Sequence, residues 1–446
     1  MNLLLHHFRC IAVLLALLSS IAAVAAQPLY RAEQLPGIDP GGTPGSVGTF
    51  YQWLSDAGQV AHWSRETRRL SVWSAGRLRE LPLSSYPPDG GSNWLLNGIN
   101  ATGAVIGSFS LYAGPSHLGV RAVLWPPTGG IVEIGVLGTD ATGYGSSYAS
   151  AINDSGMIVG SSEVFSREGR SLGARGFLWR SGQLLQLPPV AIPGFIPEGS
   201  FAQAVDAAGR AVGYSSLRSG DVTLTRATLW TPEGRPIDLG SLYDRPGSPG
   251  SSSAVAINER GEVIGSSSPT ATEAEQDAAR RLSRPTLWSG DRIIDLGTIQ
   301  APPRGNLQGP FGSGAYDLND RGEALVSMNP PSPHLTQDAA LWRAGRLHHL
   351  RPPSPTGPQS YAWAFDLNDQ GIVVGVGENL PGTRGRRALV ARDGVTFMDL
   401  NELVRPGDLQ GWTLIVAEQI NRRGQILAHG EDREYRQALF VLTPLD

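Results

Sequence analysis

Cysteine is nearly absent: the chain of 446 residues has one, Cys10. It lies within residues 1–26, which read as a secretory signal peptide and not as part of a fold. His6, His7 and Arg9 make a weakly basic start, residues 11–18 an apolar run, and Ala22, Ala23, Ala25 and Ala26 a small-residue exit before Gln27. The mature chain, 27–446, is therefore expected to have no disulfide and no cysteine-bound metal. A chain of that length buries enough core to do without such staples. No long apolar run follows residue 26, so no membrane span is expected after signal removal. Charge is also scarce, at 17% of residues with a net of −4, which excludes an electrostatic footprint for nucleic acid.

Motifs of catalysis are missing too. There is no Gly-x-Ser-x-Gly elbow and no Gly-x-x-x-x-Gly-Lys phosphate loop. The histidines after the signal are His62, His117, His334, His348, His349 and His429, and none forms a helical metal pair. His348 and His349 are adjacent at the end of a strand, so they point to opposite faces and cannot easily share an ion. Asx residues at turns lack the clustered acidic ligands of a calcium loop. No catalytic residue, metal or cofactor is assigned.

What the chain does contain is a repeat. An apolar residue, then Asn, Asp or Ser, two polar or small residues and Gly recur eight times, with the glycines at 58, 103, 156, 209, 261, 322, 371 and 424. Spacings of 45, 53, 53, 52, 61, 49 and 53 residues match four-stranded propeller blades. An Asx residue three before a Gly is hairpin chemistry: the side chain caps a type I turn and Gly takes the left-handed position. Around residues 200–240 this joins a first strand, a, to a second, b. A third strand, c, ends at Trp230, and a turn through Gly234 leads to a fourth, d, ending at Leu239.

The c strand recurs at Trp73, Trp125, Trp179, Trp230, Trp288 and Trp342, a regular placement that predicts packing between blades. By parity, the short a–b and c–d turns share one face of the ring and the longer b–c and d–a connections share the other. The last repeat lacks a d strand, and residues 29–35 resemble an orphan one. The expected fold is an all-β, eight-bladed propeller closed by this N-terminal strand. Seven blades is the alternative, because the first repeat has Ser55 and His62 where others have Asn and Gly.

Charge supports the register. Arg69, Arg121, Arg226, Arg284 and Arg387 precede the c-strand anchor by four residues, and Glu80, Glu133, Asp238, Asp295 and Asp399 precede the d-strand anchor by one. These positions are expected to face each other across the c–d pair as structural ion pairs. The same rule pairs Arg175 with Gln186, Asp338 with His349, and Gln437 with Gln34.

The run Ala151-Ile152-Asn153-Asp154-Ser155-Gly156-Met157-Ile158-Val159-Gly160, with Ala-x-Leu-Trp and Asp-Leu-Gly strands after it, resembles the HAF-repeat family of probable extracellular bacterial proteins. Ala256 to Gly265, Pro285 to Trp288 and Asp295-Leu296-Gly297 carry the same pattern, although Arg-Ala replaces most of the naming His-Ala-Phe. The resemblance implies export and transfers no active site.

The long-loop face carries scattered aromatics, among them Tyr112, His117 and Tyr144. Trp94, Tyr148, Tyr361, Trp363 and Trp412 fall at or just before a strands, near a channel mouth if strand a is innermost, and are the candidate ligand contacts. The polar loop 266–283 reads as a solvated excursion. The expectation is a secreted, periplasmic or extracellular monomer. It would bind a glycan, peptide or protein surface without catalysis. The alternative is a propeller hydrolase or lyase acting on extracellular or envelope glycans.

Overall fold

The computed structural model describes residues 29–36, 52–64, 67, 69–83, 94–114, 116–272, 275, 282–298, 312–329, 339–351, 361–378, 380 and 385–445. Residues 1–26, expected to be a signal peptide, lie outside the described residues. Among those described, no helix is long and apolar enough to cross a membrane.

Eight antiparallel sheets follow one another along the chain. Each a strand pairs with b, b with c and c with d, so the first repeat forms a full blade and eight blades are present. The a strands are Gln52–Leu54, Trp94–Ile99, Ser147–Ile152, Ile196–Val205, Ser251–Ile257, Gly312–Leu318, Tyr361–Leu367 and Thr413–Ile420. Each touches the a strand of both neighbours, Thr413–Ile420 against Gln52–Leu54 included. Strand a is therefore innermost. The eighth sheet joins Thr413–Ile420, Ile426–Glu431 and Gln437–Pro444 to Tyr30–Gln34, with Ala32 opposite Leu442. Loop 266–283 is partly pinned: Ala271–Thr272 adds two residues beside Val222 and Thr223 of the fourth blade.

The core is a series of sandwiches between blades. Trp125 and Trp230 are fully buried, each against apolar side chains of the preceding blade, such as Leu70 and Val72 for Trp125. Their indole N–H groups donate to Pro82 O (2.8 Å) and Pro188 O (2.6 Å), also in the preceding blade. Trp73 packs on Leu427, Leu439 and Val441 of the eighth blade. Where the Trp is lost, Ala391 and Leu442 take its place among Leu341 and Val390 respectively. Repeated serines add polar bonds between blades: Ser147, Ser200 and Ser252 each accept a c-strand N–H at 3.0 Å.

All five expected arginine–carboxylate pairs form, including Arg226–Asp238 (2.8 Å), Arg284–Asp295 (3.1 Å) and Arg121–Glu133 (3.3 Å). The register corrects their geometry. Asp238 lies opposite Thr228 and Glu80 opposite Ser71, so each arginine reaches its partner diagonally, two residues along the strand. The chain has no lysine, and the long planar guanidinium suits that reach. Arg175 instead bonds the carbonyls of Leu172, Ala174 and Glu198. Asp338 lies outside the described residues. In the eighth blade the equivalent of arginine is Ala438, not Gln437, because Leu35 N bonds Leu439 O and Gln34 faces Phe440. Without a Trp to anchor the alignment, a one-residue slip among small apolar residues leaves no trace in the sequence.

Candidate functional site: the two ends of the central channel

Each a strand from the second blade to the eighth carries a β-bulge just before its turn, as between Ala254 and Ala256 or Ala364 and Asp366. A bulge adds one residue and re-aims its side chain. The added residue points inward, and Gln203 and Val255 are exposed in mid-strand for this reason. Opposite the bulge, the b strand carries Gly107, Gly160, Gly213, Gly265 or Gly375, where a Cβ would lie 1.8–2.2 Å from an a-strand carbonyl. The first blade has no bulge in Gln52–Leu54, which leaves room for His62. His62 stands at the place of these glycines, opposite Gln52, and is 1% exposed.

At the short-turn end the turn residues form two belts. All eight turn glycines have φ between +75° and +85°. Asn Oδ1 caps its own turn, as when Asn368 accepts from Gln370 N and Ile372 N (both 3.1 Å). The same side chain's Nδ2 crosses to the next blade. Asn100 donates to Asn153 O, Asn153 to Asp206 O, Asn258 to Asn319 O, Asn319 to Asn368 O, Asn368 to Asn421 O and Asn421 to Ser55 O, at 2.8–3.1 Å. The two blades whose turn opens on Ser55 or Asp206 have no amide donor to give. In the second belt, the carboxylates of Asp56, Asp154, Glu259, Asp320 and Asp369 each accept the backbone N–H of the preceding blade's turn.

Four of these carboxylates, Asp56, Glu259, Asp320 and Asp369, line a cavity of about 200 Å³ at the channel mouth. Arg422 reaches over it to Asp369 (3.2 Å), Asp56 (3.4 Å) and Asp320 (3.7 Å). Partial burial pulls its pKa down, but the carboxylates outweigh this and raise it. One arginine thus links three turns of the belt across this cavity.

Deeper in the channel, Asp317 and Asp366 of the sixth and seventh blades hydrogen-bond to each other. Asp317 Oδ2 also accepts Leu367 N (2.8 Å), and Asp366 Oδ2 accepts Ile420 N (2.7 Å). Burial raises both carboxyl groups above the ordinary aspartate range, Asp366 well above it. Tyr316 and Asp369 add to the local field. The folded pair thus holds a proton that the unfolded chain releases. Its stabilisation is complete below the ordinary aspartate pKa of about 4 and is lost as pH rises through the folded value. Asp366→Asn can keep the Ile420 bond and donate to Asp317. The variant is expected to melt above the native protein at alkaline pH and to converge with it at acid pH, as measured by thermal denaturation.

At the junction of the eighth and first blades, Gln52 Nε2 lies 2.6 Å from Glu418 Oε2 and 2.7 Å from His429 Nε2, which is 2.8 Å from Glu418 Oε1. The three groups bridge the blades through Gln52 Nε2, while Gln52 Oε1 is left buried without a partner. Among the described residues no group of three or more His, Cys, Asp and Glu side chains has metal-site geometry.

The long-loop end does not gather the five candidate aromatics. Trp94 is buried, stacked on Phe109 at 4.7 Å and tilted against Trp125 at 5.7 Å. Trp363 packs with Val376, Ile415 and Val416, and Trp412 with Phe440 at 5.8 Å. Tyr361 begins its strand, and its side chain lies outside the described residues. Tyr148 is 44% exposed. Its neighbours come from other loops: Tyr112 and His117 in the b–c hairpin of the second blade lie 5.0 Å apart, and Tyr144 packs on His117 at 6.1 Å. Ser146 Oγ is 3.5 Å from Tyr144 Oη and is also bonded to Tyr148. Tyr112, His117 and Tyr144 form a half-open ledge between the second and third blades, and Tyr148 stands beside it, joined through Ser146. Composition named these rings among the loop aromatics, but only the hairpin register brings them together.

No family model and no curated protein matches the chain. Solved structures do. The β-propeller domain of the trilobed protease from Pyrococcus furiosus is 8% identical over 76% of this chain and 89% of that one, with a TM-score of 0.37. An ulvan lyase of polysaccharide lyase family 25 is 11% identical over 77% and 90%, also at 0.37. A gluconolactonase from Xanthomonas campestris is 15% identical over 65% and 83%, at 0.28. Likenesses this distant say nothing about chemistry. The chain is an eight-bladed β-propeller of four-stranded antiparallel blades on its own strand pairing.

Proposed function

We propose that this propeller is an exported, monomeric, non-catalytic glycan-binding module of the HAF-repeat type. The ledge of Tyr112, His117 and Tyr144, with Tyr148 beside it, is the observation that supports a glycan reading. Half-open aromatic faces in contact offer flat apolar area for the C–H face of a sugar ring, and adjoining hydroxyls supply polar partners. The short-turn end is stitched by the belts and bridged by Arg422, which favours the opposite face. The first test is a glycan array probed with residues 27–446, with and without calcium. Binding is expected, and Tyr144→Ala and Tyr148→Ala should each weaken it about tenfold, equivalent to about 1.4 kcal/mol. A blank array overturns the reading.

Export rests on the signal-like residues 1–26, and cleavage before Gln27 is read by N-terminal sequencing of the secreted protein. We also assign Tyr30–Gln34 the role of a clasp, which holds the eighth blade to the start of the chain. With no cysteine after Cys10, Ala32→Cys with Leu442→Cys gives a clean test, since these residues pair directly. The disulfide is expected to form on oxidation and to raise the melting temperature. Free thiols under oxidising conditions would refute the clasp.

A further inference from the structure

One group beside the ledge has no structural employment. Glu163, in strand Ile158–Phe165, is half-buried, and its Oε2 is shut off from water with no hydrogen-bond partner. Its backbone N–H is used by Ser146 O at 2.9 Å, but its carboxylate forms no ion pair among the described residues. Three other carboxylates at buried or half-buried positions are engaged. Glu262 meets Arg260 and Asn258, Glu323 meets Arg343 and Asn319, and Asp206 meets Arg210. A buried acceptor left unmade is costly, and such an exception calls for an explanation.

Its surroundings point to one. Tyr148 lies opposite Ser161, so Ser146, Tyr148, Ser161 and Glu163 share one face of this strand pair. Burial raises the Tyr148 phenol pKa, and the charge of Glu163 adds to that rise. Arg121, under the same loop, is buried and committed to Glu133 and to the carbonyls of Leu118 and Gly145. The face beside the ledge therefore carries hydroxyls and a carboxylate that makes no ion pair among the described residues, and the buried Arg121 is committed elsewhere. The last torsion of Glu is soft, so a small rotation turns either oxygen outward.

We propose that Glu163 is the polar anchor of a saccharide subsite and accepts hydroxyl hydrogen bonds from a neutral sugar stacked on Tyr144 and Tyr148. This rests on the glycan reading above and narrows it. A carboxylate is an acceptor only, so it suits sugar hydroxyls and repels the carboxylate of a uronate or the sulfate of a sulfated glycan. The probes are cellohexaose, maltohexaose and chitohexaose as neutral ligands, against oligoalginate and sulfated carrageenan oligomers.

Isothermal titration of the native protein, Glu163→Gln and Tyr144→Ala with each probe is the experiment. At least one neutral oligomer is expected to bind and the anionic ones not to. Glu163→Gln should weaken binding about tenfold, the scale of one charge-assisted hydrogen bond, with an unchanged or higher melting temperature. A structural role would instead lower that temperature and leave binding intact. Unchanged affinity in Glu163→Gln, or tighter binding of the anionic oligomers, overturns the anchor while the glycan reading stands. If no probe of either charge binds but the array is positive, the anchor falls alone. If the array is also blank, both fall.

Discussion

Asn368→Ala is expected to lower the unfolding free energy by about 3 kcal/mol, read by urea denaturation with native-like signal retained. The asparagine is 4% exposed, and its loss strands three backbone groups at once. Gln370 N and Ile372 N lose their acceptor within the turn, and Asn421 O loses its donor from the neighbouring blade. Each buried group left unpaired costs about 1–3 kcal/mol before relaxation and water entry. Asn368→Asp separates the two roles, since aspartate keeps the caps and lacks the donor, as Asp206 does naturally. It should cost about 1 kcal/mol. Equal losses for the two variants would show that the caps carry no stability, and an Asn368→Asp variant as stable as the native protein would show that the bond between blades carries none.

Gly265→Ala is the second large effect. The added Cβ would stand 1.9 Å from Ser253 O and 3.0 Å from Ala254 Cα, both of them backbone. A flexible side chain could move aside, but a bulged strand in a ring of eight has little freedom. We expect a loss of about 1–3 kcal/mol or more, the range for overpacking a tight site. The control is Gly290→Ala. It sits at φ +58° with no atom within 4 Å of the new Cβ, so it tests backbone strain without a clash and should cost less. Val326 and Ala428 occupy the equivalent place in the sixth and eighth blades, which shows that the approach is set blade by blade.

The repeat was legible because its chemistry is local. An Asx residue three before a left-handed Gly is a turn signal carried by a few adjacent residues, and the period then pointed to four-stranded blades. The five arginine–carboxylate pairs were legible because cross-strand neighbours follow from turn length. Two residues of stagger were not, since alternation places a residue on a face and leaves open which partner on that face it reaches. The bulges escaped notice altogether: an inserted residue in an a strand looks like ordinary sequence, and only the b-strand glycine hints at it.

The candidate site divides along the same line. Tyr148 was visible from its place before an a strand. Glu163 gave no signal, because the meaning of a lone carboxylate lies in the partners it lacks. Trp94 reads like an exposed loop aromatic in one dimension and is a core residue in three, stacked on Phe109.

By itself, then, the sequence determined the repeat, the turn chemistry and the two-faced architecture, since each depends on residues within a few positions of one another. The choice of eight blades over seven came instead from the strand pairing of the divergent first repeat. Tertiary structure alone decided that Asn side chains link blade to blade, that Asp317 and Asp366 hydrogen-bond to each other, and that Tyr112, His117 and Tyr144 form one ledge. Those contacts join residues tens of positions apart, and only the closing of the ring sets their distances.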